Sequence, residues 1–138
     1  PNALVYEPMA PRLWQRVRPG VEILSDDRIV LGPEGRRNRV WGTPWHGEAR
    51  LSSSATGWLA AVFFLAQARQ TRCLPLAAGE AAARLMALSF FPPWERVTVA
   101  RALETCVRVA QSVPCFVLEF RPEETAVEAV EAVLARRG

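Results

Sequence analysis

The chain has 138 residues, half of them hydrophobic and 22% charged, with a formal charge of +3; this predicts one domain with a real core and excludes a disordered chain. All 17 basic residues are arginines, scattered along the chain, so no basic stripe points to a nucleic-acid partner. Three cysteines without CxxC spacing argue against a zinc or disulfide framework, and neither a signal-peptide pattern nor an apolar run of membrane-spanning length is present, so a cytoplasmic protein without membrane partners is expected.

"NALVYE" reads as a strand ending at a turn, and Arg12 to Arg18 as a short helix stopped by Pro19-Gly20. Val21 to Leu24 is predicted as a short strand running into the step Ser25-Asp26-Asp27, which holds the only two aspartates of the chain. Arg28 to Leu31 continues extended, Gly32 to Gly35 signals a turn, and Arg37 to Trp41 suits the return arm of a β-hairpin. Gly42 to Glu48 is irregular, because Gly42, Pro44 and Gly47 break any ladder. "WLAAVFFLA", from Trp58, is apolar on both faces and fits a buried helix or a central strand; its shortness and its Val-Phe-Phe centre favour the strand.

Leu76 to Leu88 is helical, and Phe91-Pro92-Pro93-Trp94 breaks it, with Phe90, Phe91 and Trp94 read as core. Val97 to Ser112 is the best amphipathic helix, with Val99, Leu103, Cys106 or Val107, and Ala110 on one face. Pro114 to Phe120 is a strand, and Pro122 to Arg137 a closing helix with its acids early and its arginines last. Strands alternating with helices predict an α/β domain. Val21–Leu24, Trp58–Leu65 and Val117–Phe120 are expected as neighbouring buried strands of one sheet covered on both sides.

Read as residue types, the Ser-Asp-Asp step is a turn whose side chains satisfy backbone N–H groups, or a carboxylate pair for phosphoryl transfer. His46 and Glu48 sit in a Gly/Pro-rich loop flanked by Trp41 and Trp45, where Glu48 is the better candidate for a divalent cation and His46 suits a structural role. Arg50 carries the bidentate fork that matches phosphate oxygens. Ser52 to Ser54 lack a nucleophile elbow, which argues against a serine hydrolase.

In order along the chain, "GVEILSDDRIVL", the hairpin, "GTPWHGEARL", "AAVFFLAQA", "FFPPWE" and "VPCFVLEFRP" resemble the HPr kinase-like group of bacterial proteins, related to the HPr serine kinase/phosphorylase. The likeness runs from about Leu13 to Val133. It implies a P-loop/PEP-carboxykinase-type nucleotide-binding core with a β-hairpin and flanking helices. It also implies ATP and Mg²⁺ as cofactors, and transfer of a phosphoryl group to a hydroxyl of a protein, peptide or small molecule; oligomers are compatible with it. By resemblance Asp26 and Asp27 match the paired catalytic acids, Asp27 and Glu48 the metal-binding carboxylates, and the loop with His46, Glu48 and Arg50 the nucleotide-facing segment.

One departure is large. The family's GxxxxGK[ST] loop should precede the first helix, yet the chain contains no lysine. Either a segment is missing between Ala10 and Pro11, or the domain has lost its triphosphate grip and serves as a non-catalytic binding or scaffold domain. A missing segment would part the two Cα atoms far beyond the roughly 3.8 Å of a trans peptide. Convergence of Asp26, Asp27 and Glu48 on one cleft is expected, with at least one carboxylate pKa raised by repulsion and desolvation.

Overall fold

The computed structural model describes residues 3–5 and 9–137. Among these the chain forms four helices and two small sheets, a mixed α/β architecture. The first sheet has the order β1 (Ala3–Val5), β5 (Ala61–Gln67), β7 (Cys115–Phe120), β6 (Arg72–Pro75). β1, β5 and β7 run parallel, while β6 pairs antiparallel with β7 at the edge. The second sheet is an antiparallel meander of β2 (Val30–Glu34), β3 (Arg37–Trp41) and β4 (Thr56–Trp58).

Alternation along β5 and β7 splits the core into two halves. Ala61, Phe63, Phe116, Leu118 and Phe120 point to one face, where they meet Leu13 of α1 (Met9–Val17) and Ala126, Val127 and Val130 of α4 (Glu124–Ala135). Val62, Phe64 and Cys115 point to the other, against Ala81 and Ala82 of α2 (Ala78–Leu88) and Val109 and Ala110 of α3 (Arg96–Ser112). Val40 of β3 and Leu59 join this second half. A parallel sheet needs apolar cover on both faces, which explains why β5 reads as a continuous apolar run. Phe63 and Phe116 stack at a ring separation of 5.3 Å within the first half.

The apolar segment at Trp58 is a strand, divided by a change of sheet. Trp58 ends β4 in the meander, and β5 begins only at Ala61. Val21–Leu24, expected as a third neighbouring strand, is irregular and is held by a single bridge, Ser25 to Ser52. β1 takes the place beside β5 instead. The reason is packing: Glu22 is exposed and Ile23 only half-buried, so this stretch lacks two-sided cover.

The hairpin turn lies later than Gly32 to Gly35. Gly32 and Pro33 are inside β2, which as an edge strand tolerates a residue without N–H. The connection is Gly35-Arg36, with Gly35 at φ +62, the positive value a type II′ turn requires at its first central position. β6, too short and too polar to stand out in the sequence, was not anticipated. The Phe90–Trp94 segment also differs from its core assignment: Phe90 is 87% and Trp94 83% exposed, and Arg28 lies over the Phe90 ring. Leu103, assigned to the apolar face of its helix, is half exposed, and Val109 carries that face.

α1 runs unbroken through Ala10 and Pro11, with Pro11 in its first turn, where a missing N–H costs nothing. Three residues, 6–8, connect β1 to α1, and they lie outside the described residues, as do the ends of "NALVYE". No helix among the described residues is long and apolar enough to cross a membrane.

Candidate functional site

The step Ser25-Asp26-Asp27 is organised by its serine. Ser25 Oγ accepts the backbone N–H groups of Asp27 and Arg28, both at 3.0 Å, and donates to the carbonyl of Trp45 at 2.8 Å. This hydroxyl turn points the two aspartates in different directions.

Asp26 points inward and is 6% exposed. Its Oδ1 accepts N–H bonds from Gly47 at 2.8 Å and Leu51 at 3.1 Å, and its Oδ2 accepts from Ala49 at 2.7 Å. The main chain adds a reciprocal bond from Asp26 N to Leu51 O. Desolvation pushes the Asp26 carboxyl up, but the three backbone N–H groups outweigh it and hold the pKa below the ordinary value of 3.8. The expectation of a carboxylate raised by repulsion is therefore not met at Asp26: its neighbours are donors, not acids.

Asp27 faces outward. Its Oδ2 lies 3.5 Å from Arg28 Nε, and its side chain keeps 31% of its exposure. Of the two acids, it is the one with oxygen atoms left for a ligand.

The loop 42–51 is folded around the Asp26 carboxylate. Gly42 is indispensable there, because a Cβ at this position would lie 1.8 Å from Ser53 O. Gly47 donates to Asp26, and Arg50 N closes a turn onto Gly47 O at 3.1 Å, which places Arg50 at φ 55. Thr43 Oγ1 donates to Arg28 O, and Arg12 of α1 donates to the carbonyl of Glu48 at 3.2 Å. Asp26 thus grips the residues on both sides of Glu48, bringing the Glu48 backbone to the aspartate turn. The side chains of His46, Glu48 and Arg50 are exposed, and His46 Nδ1 is 3.4 Å from Gly47 O.

Magnesium takes one or two carboxylates and completes its shell with waters and phosphate oxygens. Asp27 and Glu48 are carboxylates of the right type that remain accessible to solvent, on segments that meet through the bonds of Gly47 and Ala49 to Asp26. Asp26 does not fit that donor set, since both its oxygens are engaged by N–H groups. Among the described residues no group of three or more His, Cys, Asp or Glu is arranged to hold a metal ion.

Sequence reasoning singled out the acids and missed their supports. Ser25 was readable, since a serine before Asp-Asp is a recognised turn former. Arg12 was not, because its contact with Glu48 spans 36 residues. Comparison of the chain with protein-family models finds no match, and comparisons with curated proteins and with solved structures find none either.

Proposed function

We propose that this domain carries the acid and loop portion of an HPr kinase-like phosphoryl-transfer site, acting on ATP with Mg²⁺ and on a hydroxyl-bearing protein, peptide or small molecule. The observation that carries the reading is the division of labour within the aspartate pair: Asp26 fixes the loop, while Asp27 stays open to solvent beside it. In this reading Asp27 takes the proton of the acceptor hydroxyl. The acceptor oxygen bonds to the γ-phosphorus, the β–γ bridging bond breaks, and ADP leaves with the electron pair. Mg²⁺ would be held by Asp27 and Glu48 and would neutralise charge on the β- and γ-oxygens. With no lysine available, Arg50 and Arg12 are the cations for phosphate oxygens at this end of the domain.

A second reading, a domain of this fold that binds or scaffolds without catalysis, is favoured by one observation: the chain contains no lysine and hence no GxxxxGK[ST] loop. Calorimetric titration with Mg²⁺·ATP, paired with an assay of phosphate release, separates the two. The catalytic reading expects saturable binding, weakened by Arg50→Ala, and turnover lost in Asp27→Asn at an unchanged melting temperature. Binding without turnover would overturn it in favour of the second, and absence of binding at millimolar Mg²⁺·ATP would overturn it in favour of a scaffold that has lost its triphosphate grip.

A further inference from the structure

A cavity of about 350 Å³ opens between α1, α4, the irregular segment 21–25 and the hairpin sheet. Its walls include Trp14, Ile23, Leu24, Ile29, Leu59 and Leu134. This falls in the range of roughly 300 to 1,000 Å³ typical of small-molecule sites, and apolar cavities of about 150 Å³ already admit benzene. The irregular segment 21–25 forms one wall, with Ile23 and Leu24 lining the space.

Most polar side chains along the lining are engaged within the protein. Arg18 Nε pairs with Glu131 Oε1 at 2.9 Å. Glu22 Oε1 accepts from Ser53 Oγ at 2.6 Å, and Thr56 Oγ1 donates to Val40 O at 2.8 Å. Ser25 Oγ is committed to its turn and to Trp45 O. A ligand therefore meets apolar walls and one buried acceptor that receives no hydrogen bond, Glu131 Oε1. The ionisable side chains at the lining are two carboxylates, Glu22 and Glu131, against one guanidinium, Arg18, an excess of negative charge that opposes an anion.

We propose that this cavity is a binding site for a small, uncharged, ring-sized apolar molecule. The site is independent of the phosphoryl-transfer reading, since neither Asp27 nor Glu48 lines it.

The test is titration of the ¹⁵N-labelled chain with indole, and separately with indole-3-acetate, followed by amide chemical shifts. Indole should give saturable shifts confined to residues 21–25, 55–59 and the facing turns of α1 and α4. The anion should bind at least about tenfold more weakly, from the like charge at the lining. Ala55→Phe, which fills the cavity from the hairpin side, should abolish indole binding, and Leu134→Trp does the same from α4 should the first variant fail to fold. No saturable shift with indole would overturn the proposal. So would equal binding of the anion, or undiminished indole binding in a filled variant that retains the wild-type spectrum.

Discussion

Replacing Asp26 by Asn removes one charge and turns one acceptor into a donor, in a pocket built only of donors. In the better of its two orientations, the new side chain keeps its oxygen toward Gly47 N and Leu51 N and sets its NH₂ against Ala49 N, 2.7 Å away in the wild type. One charge-assisted bond is lost, about 1.5 to 3 kcal/mol, and a buried N–H is left without an acceptor. The two surviving bonds fall from charged to neutral strength, roughly 1 kcal/mol each. The sum is about 3 to 5 kcal/mol, a large share of the roughly 5 to 15 kcal/mol that holds a domain of this size together. Thermal unfolding followed by circular dichroism should show a melting temperature lowered by about 6 to 20 °C, at about 2 to 4 °C per kcal/mol. Asp27→Asn is the control: its partly exposed pair with Arg28 is worth no more than about 1 kcal/mol. If both variants melt together within about 2 °C of the wild type, Asp26 does not hold the loop as described. A kinase assay of Asp26→Asn alone would confuse a lost catalyst with a collapsed loop, so Asp27 is the cleaner probe of chemistry.

The pH dependence follows with a definite sign. Because the folded pKa of Asp26 is depressed, its contribution is fully present above the ordinary value of 3.8 and is lost as pH falls through the lower folded value, so denaturant titrations should show the stability gap between wild type and Asp26→Asn closing below about pH 4. Gly42→Ala should cost about 2 to 4 kcal/mol in urea unfolding, since its Cβ would collide with the backbone carbonyl of Ser53, which no side-chain rotation can relieve. Val130→Ala, at a fully buried position between α4 and the sheet, should cost about 2 kcal/mol by the same measurement, whereas Trp94→Ser, 83% exposed, should stay within about 0.5 kcal/mol. Arg50→Gly should raise stability by up to about 1 kcal/mol by relieving a positive φ, while weakening any phosphate binding measured by calorimetry.

The central strands and the longer helices were legible because their signal is local. Val62, Phe63 and Phe64 announce a strand buried on both faces, and the spacing of Cys106 and Ala110 marks the inner side of α3, although it misses Val109 between them and includes Leu103, which is half exposed. Val21–Leu24 misled because its composition suits a strand while its burial does not; only the tertiary arrangement reveals that β1 has taken the position beside β5. At the candidate site the acids were visible as scarce residue types. Their opposite roles were not, because the donors that capture Asp26 are backbone N–H groups 21 to 25 residues away, which carry no sequence signature. Phe90 and Trp94 show the converse: large aromatics invite a core assignment, and the turn after α2 leaves them in solvent.

The layer that covers Phe63, Phe116 and Leu118 is assembled from opposite regions of the chain, α1 from one and α4 from the other. As the polypeptide leaves the ribosome, β5 and β7 emerge before Val127 and Val130, so this face of the sheet stays uncovered until α4 has been made. The opposite half has its helices α2 and α3 in hand before β7 is made. Cotranslational folding should therefore be lopsided, with the α2–α3 side consolidating first and the α1–α4 side left sticky. Nascent chains arrested after Phe120 should accordingly bind a holdase chaperone, and chains extended through Ala135 should let it go.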